Sequence, residues 1–361
     1  MSVQAQTTQS STQPSSRFDI ETTYHQLIKR RVQLMGALML CTVLALLVDL
    51  ASGPSAMDFS TVVLGLFQSE NLSRGEEVIL FQVRLPYSLM AVVVGAALGL
   101  AGAEMQTALN NPLASPFTLG VSAAATLGAA FALVFDWNWS GISSTYIVPA
   151  SAFVFALLST AIILLLANHF GAQVGTVVLF GISMFFALNA MVSFLQFLSS
   201  EDTLQQIVFW TMGSLARATW DNIVIVAVVF AICLPFSIRN AWAMTLLRCG
   251  EDHARSSGIS VESLRLKLMI RVSLLTAVSI AFVGEIGFIG LVGPHIARLL
   301  IGEDHRFFLP ASALCGALMM SMASIASKSL IPGIILPIGI VTSLVGIPLF
   351  MILIITRARQ S

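Results

Sequence analysis

The sequence predicts an all-α polytopic membrane protein. Three observations predict it: a scarcity of charge, a series of apolar segments of spanning length, and the sorting of basic residues between alternate loops. Of the 361 residues, 57% are hydrophobic and 10% charged, against about 25% charged in an ordinary soluble domain. A water-soluble fold of this size could not cover its surface with so few charges, whereas lipid accepts an apolar outer face. Mean hydropathy of +0.89 agrees. The formal net charge of zero excludes a whole-chain basic footprint for nucleic acid.

A spanning helix needs about 20 mostly apolar residues. About ten segments qualify: 32–51, 86–105, 117–135, 146–168, 174–198, 221–238, 267–285, 287–301, 310–327 and 337–356. The segment at 287–301 is short and rich in glycine. Short amphipathic pieces near 203–215 and 329–336 suit interfacial helices or turns. An even number of spans puts both termini on one side, and basic residues mark the cytoplasmic side. With the termini in the cytoplasm, Arg17, Lys29, Arg30, Arg31, Arg239, Arg248, Arg255, Arg265, Lys267, Arg271, Arg298, Arg306, Arg357 and Arg359 all lie inward. Arg74, Arg84, Arg217 and Lys328 fall outside. Residues 1–16 are rich in Ser, Thr and Gln, so residues 1–28 are expected to form a disordered cytoplasmic tail. Residues 29–361 then form one transmembrane domain. Cys41, Cys233, Cys249 and Cys315 show no paired spacing that would mark a disulfide framework or a metal site.

The longest hydrophilic stretch between spans covers about 239–266. Within it Glu251 and Arg255 form an i,i+4 acid–base pair on a short helix. Gly250 suits the turn before that helix and Gly258 its left-handed stop. The segment reads either as a solvated loop or as a ledge that takes force from a soluble partner. In Asn111-Pro112-Leu113-Ala114-Ser115-Pro116, the prolines stop one helix and pre-set the next. Gly95 and Gly99 form a GxxxG pattern suited to close helix approach. Arg84 and Lys328 are isolated outer cations, available to an acidic docking partner or snorkelling to headgroups. Ser183 and Asn189 lie mid-span, either lining a pathway or bonding a neighbouring helix. Glu104 and Glu285 stand at the ends of their spans. Lys29, Lys267 and Lys328 are not in a GxxxxGK[ST] loop, no HExxH occurs, and Gly120-Val121-Ser122 lacks the second glycine of a nucleophile elbow.

From Arg84 to its C-terminus the chain resembles the FecCD-type permeases of bacterial ABC importers for siderophores, haem and cobalamin. The resemblance rests on Arg84-Leu85-Pro86, Asn111-Pro112-Leu113-Ala114, Leu119-Gly120-Val121-Ser122 and Phe209-Trp210-Thr211-Met212-Gly213-Ser214-Leu215. It continues through Gly250-Glu251, Ala254-Arg255 and Gly258. Strongest is Ile286-Gly287-Phe288-Ile289-Gly290-Leu291-Val292-Gly293-Pro294-His295-Ile296-Ala297-Arg298. Asp304-His305-Arg306 and Leu336-Pro337-Ile338-Gly339 follow. Tyr87 departs from a frequent second arginine, Ser115 from a frequent acid, and Glu285 from a frequent proline or small residue.

The resemblance implies ten helices and the permease subunit of an importer moving iron–siderophore complexes by alternating access. Haem or cobalamin is the alternative cargo, and an ion-coupled secondary transporter using Glu104, Glu285 or Asp49 is the alternative class. Implied partners are a second permease subunit (identical or paralogous), two cytoplasmic ATPase subunits and a periplasmic substrate-binding protein, in a bacterial inner membrane. No cofactor is expected on this chain, which is expected not to be an enzyme; ATP and Mg are used by the ATPase. Gly250, Glu251, Ala254, Arg255 and Gly258 would form the ATPase-coupling region, Arg84 and Lys328 the binding-protein docking sites, and Ser183 and Asn189 part of the pathway.

Overall fold

The computed structural model describes residues 16–54, 57–68, 70, 72–135, 144–170 and 174–358. All its long elements are helices: α1 (Ser16–Ala51), α2 (Phe59–Phe67), α3 (Arg74–Val78), α4 (Leu85–Ala108), α5 (Val121–Val134), α6 (Ser144–Phe170), α7 (Val174–Leu198) and α8 (Glu201–Thr211). There follow α9 (Trp220–Arg239), α10 (Ala241–Arg248), α11 (Glu251–Ser256), α12 (Val261–Val283), α13 (Ile289–Ile301), α14 (His305–Ser329) and α15 (Ile338–Ala358). Each of the expected spans falls on one of these helices. Seven stretches are long and apolar enough to cross a membrane: α1, α3 through α4, α6, α7, α9, α12 and α14. Val121–Val134, Ile289–Ile301 and Ile338–Ile352 are apolar but shorter.

The N-terminal expectation is corrected in part. Residues 16–28, assigned with the tail, form the first turns of α1. Ile20, Tyr24, Leu27 and Ile28 recur at helical spacing there, so the helix continues beyond the apolar run. Residues 1–15 lie outside the described residues.

Helices α4, α12 and α14 form the centre. About 72% of the most apolar part of the stretch from α3 through α4 is buried, against 17% for α7 and 22% for α1 and α9. The peripheral helices therefore keep a broad apolar face, as lipid or another apolar subunit requires. Small residues allow the centre to close. A side chain at Gly95 or Gly99 would run into the backbone of Gly316 or Ser312 on α14, and one at Gly102 into the Gly290 carbonyl on α13. Van der Waals contact at this range substitutes for the hydrophobic drive that lipid removes.

Two interruptions matter for function. Between α4 and α5, Ser115 caps a short 3-10 turn at Pro116–Leu119, and Gly120, in the left-handed region, starts α5. Between α12 and α13 the chain leaves helical geometry at Gly284 (φ +80°) and re-enters after Phe288 (φ +67°).

Candidate functional site

The ledge is built from α10, α11 and the start of α12. Helix α11 starts after Gly250 and ends in a Schellman motif: the Gly258 N–H donates to the Arg255 carbonyl (2.9 Å) and the Ile259 N–H to that of Ala254 (3.0 Å). Gly258 has φ +82°, which accounts for glycine at that turn. Ala254 is fully buried and joins the main core. The ledge is thus packed onto the bundle rather than looped out from it.

The expected Glu251–Arg255 pair is present at 3.6 Å, but each partner has a closer one. Arg255 pairs with Glu262 at 2.7 Å, and Glu251 with the guanidinium of Arg265. Arg265 is nearly buried, and its Nε also donates to the Ala108 carbonyl at 2.9 Å. One side chain thus joins the start of α11 to the last turn of α4. Two further contacts reach the same end of α4. Arg248 donates to Asn110 Oδ1 at 2.7 Å, and buried His305 lies between Thr107 (2.8 Å) and Thr245 of α10 (3.1 Å). Deeper in the bundle, Arg271 of α12 pairs with fully buried Glu104 of α4 at 2.9 Å. Helix α4, the central helix, is therefore wired to the ledge through Thr107, Ala108 and Asn110, and to α12 through Glu104.

At the opposite end of α4, the structure places both cations expected to dock a binding protein inside the bundle. Arg84 is 5% exposed and donates to the carbonyls of Leu50 (2.8 Å) and Ala51 (3.1 Å). Lys328 is 7% exposed and pairs with Asp49 at 2.9 Å, with its ammonium over the Tyr87 ring. Both cations meet the last turn of α1, where unpaired carbonyls and the negative end of the helix attract them. Asp49, buried beside them, also accepts from Ser324 at 2.7 Å. Neither cation is an outward rim charge. Arg74, at the start of α3, is exposed.

Ser183 and Asn189 lie on α7, the least buried of the candidate spans. Ser183 is exposed; Asn189 is half-buried and donates to the Phe185 carbonyl of its own helix at 2.8 Å, rather than to a neighbour. Phe186, Met191, Phe194 and Phe197 leave the same helix broadly exposed. Of the acids considered for ion coupling, Glu104 and Asp49 are held in ion pairs. Glu285 sits in the α12–α13 break. Sequence reading missed Arg265, Arg271 and His305; a basic residue facing a ledge from the next helix was the available signal for Arg265.

Outside the spans, Asp304 accepts from the Arg306 backbone (3.2 Å) and side chain, and reaches Arg31 of α1 at 3.1 Å. The Arg306 hydrogen bonds hold its carboxyl below the usual carboxylate range. This acid caps α14 and ties it to α1.

Known proteins of similar sequence and shape include the hemin transport system permease protein of Yersinia pestis, which is 33% identical over 90% of this chain and 97% of that one. The vitamin B12 import system permease protein of Vibrio cholerae is 34% identical over 76% of this chain and 82% of its own. A solved metal-chelate type ABC transporter in an inward-facing conformation superposes with a TM-score of 0.77 at 31% identity, covering 90% of this chain and 99% of that one. The FecCD transport family model matches residues 40–356, and the chain belongs to that family.

Proposed function

We propose that this chain is the membrane-spanning permease subunit of an ABC importer and carries iron chelates, iron–siderophore complexes in particular, inward by alternating access. The observation that carries the reading is the link from the ledge to α4: Glu251 on α11, Arg265 on α12, and the Ala108 carbonyl. A force applied to α11 reaches the central helix through one guanidinium. The family and the metal-chelate type neighbour support an importer of metal chelates. The relatives' differing cargoes, hemin and vitamin B12, leave the choice of iron chelate to this reading.

In this scheme the three shorter apolar helices complete ten spans, with both termini in the cytoplasm of an inner membrane. Two ATPase subunits seat on the ledge formed by Gly250, Glu251, Ala254, Arg255 and Gly258. ATP and Mg belong to those subunits, and this chain binds no cofactor. A second permease subunit covers apolar faces such as that of α7, where Ser183 and Asn189 line the pathway between the copies. A periplasmic binding protein delivers cargo, docking through groups other than the buried Arg84 and Lys328. A proton-coupled alternative is disfavoured at Glu104 and Asp49, because each already neutralises a buried cation.

Uptake of radiolabelled iron chelate in a deletion strain complemented with Arg265→Ala tests the reading. The expected result is near-complete loss of uptake with normal amounts of protein in the membrane. Wild-type uptake in that variant would contradict it.

A further inference from the structure

Glu285 is the one intramembrane acid considered above that the ledge and the buried pairs do not use. Helix α13 has 13 residues, about 20 Å at 1.5 Å per residue, shorter than a hydrocarbon core of about 30 Å. Gly290, near its start, packs on Leu98 and Gly102 in the interior of α4. The α12–α13 break therefore lies within the membrane, and Glu285 with it.

Glu285 is half-buried and forms no ion pair among the described residues, unlike Glu104 and Asp49. Its carboxylate faces the Ser122 hydroxyl in the first turn of α5. Ser122 is fully buried, and its Oγ completes no hydrogen bond; the same holds for Thr126 Oγ1, one turn further along α5. No side chain caps α5 or α13, which both begin beside this break. Arg217 packs against Gly284, but its guanidinium goes to the Val283 carbonyl and the Trp210 ring.

Uncapped helix N-termini within a membrane form a positive site that attracts anions. A carboxylate at this depth faces the bundle interior or water rather than lipid. We propose that Glu285 lines the aqueous pathway and, seated at the α5 N-terminus with Ser122 and Thr126, replaces an anion-attracting site with a negative one, so that the chain passes neutral or cationic chelates in preference to polyanionic ones. This rests on the importer reading, and deepens it by naming the charge class of the cargo.

The test reads the local potential directly and needs no transport. Gly287 is half-buried, lies two residues from Glu285, and has open room for a side chain. In a full-length chain with exposed Cys41 and Cys249 replaced by serine, Gly287→Cys is labelled with cationic, anionic and neutral methanethiosulfonates. The cationic reagent is expected to react faster than the anionic one. Glu285→Gln should lower that ratio roughly tenfold while leaving the neutral rate unchanged, which also shows that the variant folds. An unchanged ratio, or a thiol at 287 that none of the reagents reaches, would overturn the proposal. Because labelling is independent of ATP, its failure is distinguishable from failure of the importer reading.

Discussion

Arg265 and Lys328 show how much a single side chain's role depends on partners distant in sequence. Glu251 and Arg255 lie four apart on one short helix, so their pairing is legible from spacing alone. The partner that places Glu251 against α4 stands 14 positions away across a turn, and no helical period reveals it. Arg265→Ala should therefore reduce chelate uptake further than Arg255→Ala, whose partners are exposed and whose pairing is worth under about 1 kcal/mol. Lys328 reads in sequence as a lone outer cation because its acid lies 279 positions earlier. Removing one member of a buried pair costs about 3–5 kcal/mol. Asp49→Asn should thus lower the thermal midpoint of the detergent-solubilised protein, with Asp49→Asn/Lys328→Met recovering part of the loss. Asp304 adds a pH dependence. Its carboxyl is held below the ordinary range, so the stability it contributes is present above about pH 4 and is lost as pH falls through its lowered value. Asp304→Asn should flatten the acid limb of the unfolding midpoint plotted against pH.

At the scale of elements, the apolar runs marked the helices, seven of which are long and apolar enough to cross a membrane, because lipid imposes a length on them. They failed at α1, which extends back to Ser16 on a weaker amphipathic pattern. The breaks before α5 and α13 were partly legible: Pro116, Gly120, Gly284 and Gly287 mark departures from helix, but their meeting in space is a tertiary fact. The glycines of α4 were legible as packing residues, while their partners on α13 and α14 were not. Gly102→Val should place a side chain against the Gly290 backbone and destabilise the bundle by about 1–3 kcal/mol, seen as a lower thermal midpoint. Gly258 tests the ledge differently, because an added Cβ there meets nothing within 4 Å. Gly258→Ala carries only the backbone cost of the left-handed region, about 1–2 kcal/mol. It should loosen α11, raising its amide hydrogen exchange and lowering uptake, while the bundle's thermal midpoint stays near that of the wild type.

The whole molecule consists of a buried centre of α4, α12 and α14 with a ledge at one end and a buried charge cluster at the other. Peripheral helices surround that centre with faces that this chain does not cover. Composition alone required a membrane, and on the proposed importer reading the energy comes from a separate ATPase subunit. The structure adds the physical link between that subunit's expected seat and the central helix. The most direct test is iron-chelate uptake by proteoliposomes containing the permease, its ATPase and its binding protein, measured with ATP enclosed and with a protonophore added. The account predicts uptake that requires ATP hydrolysis, persists with the protonophore, and is lost in Arg265→Ala. Uptake driven by a proton gradient without ATP would contradict it.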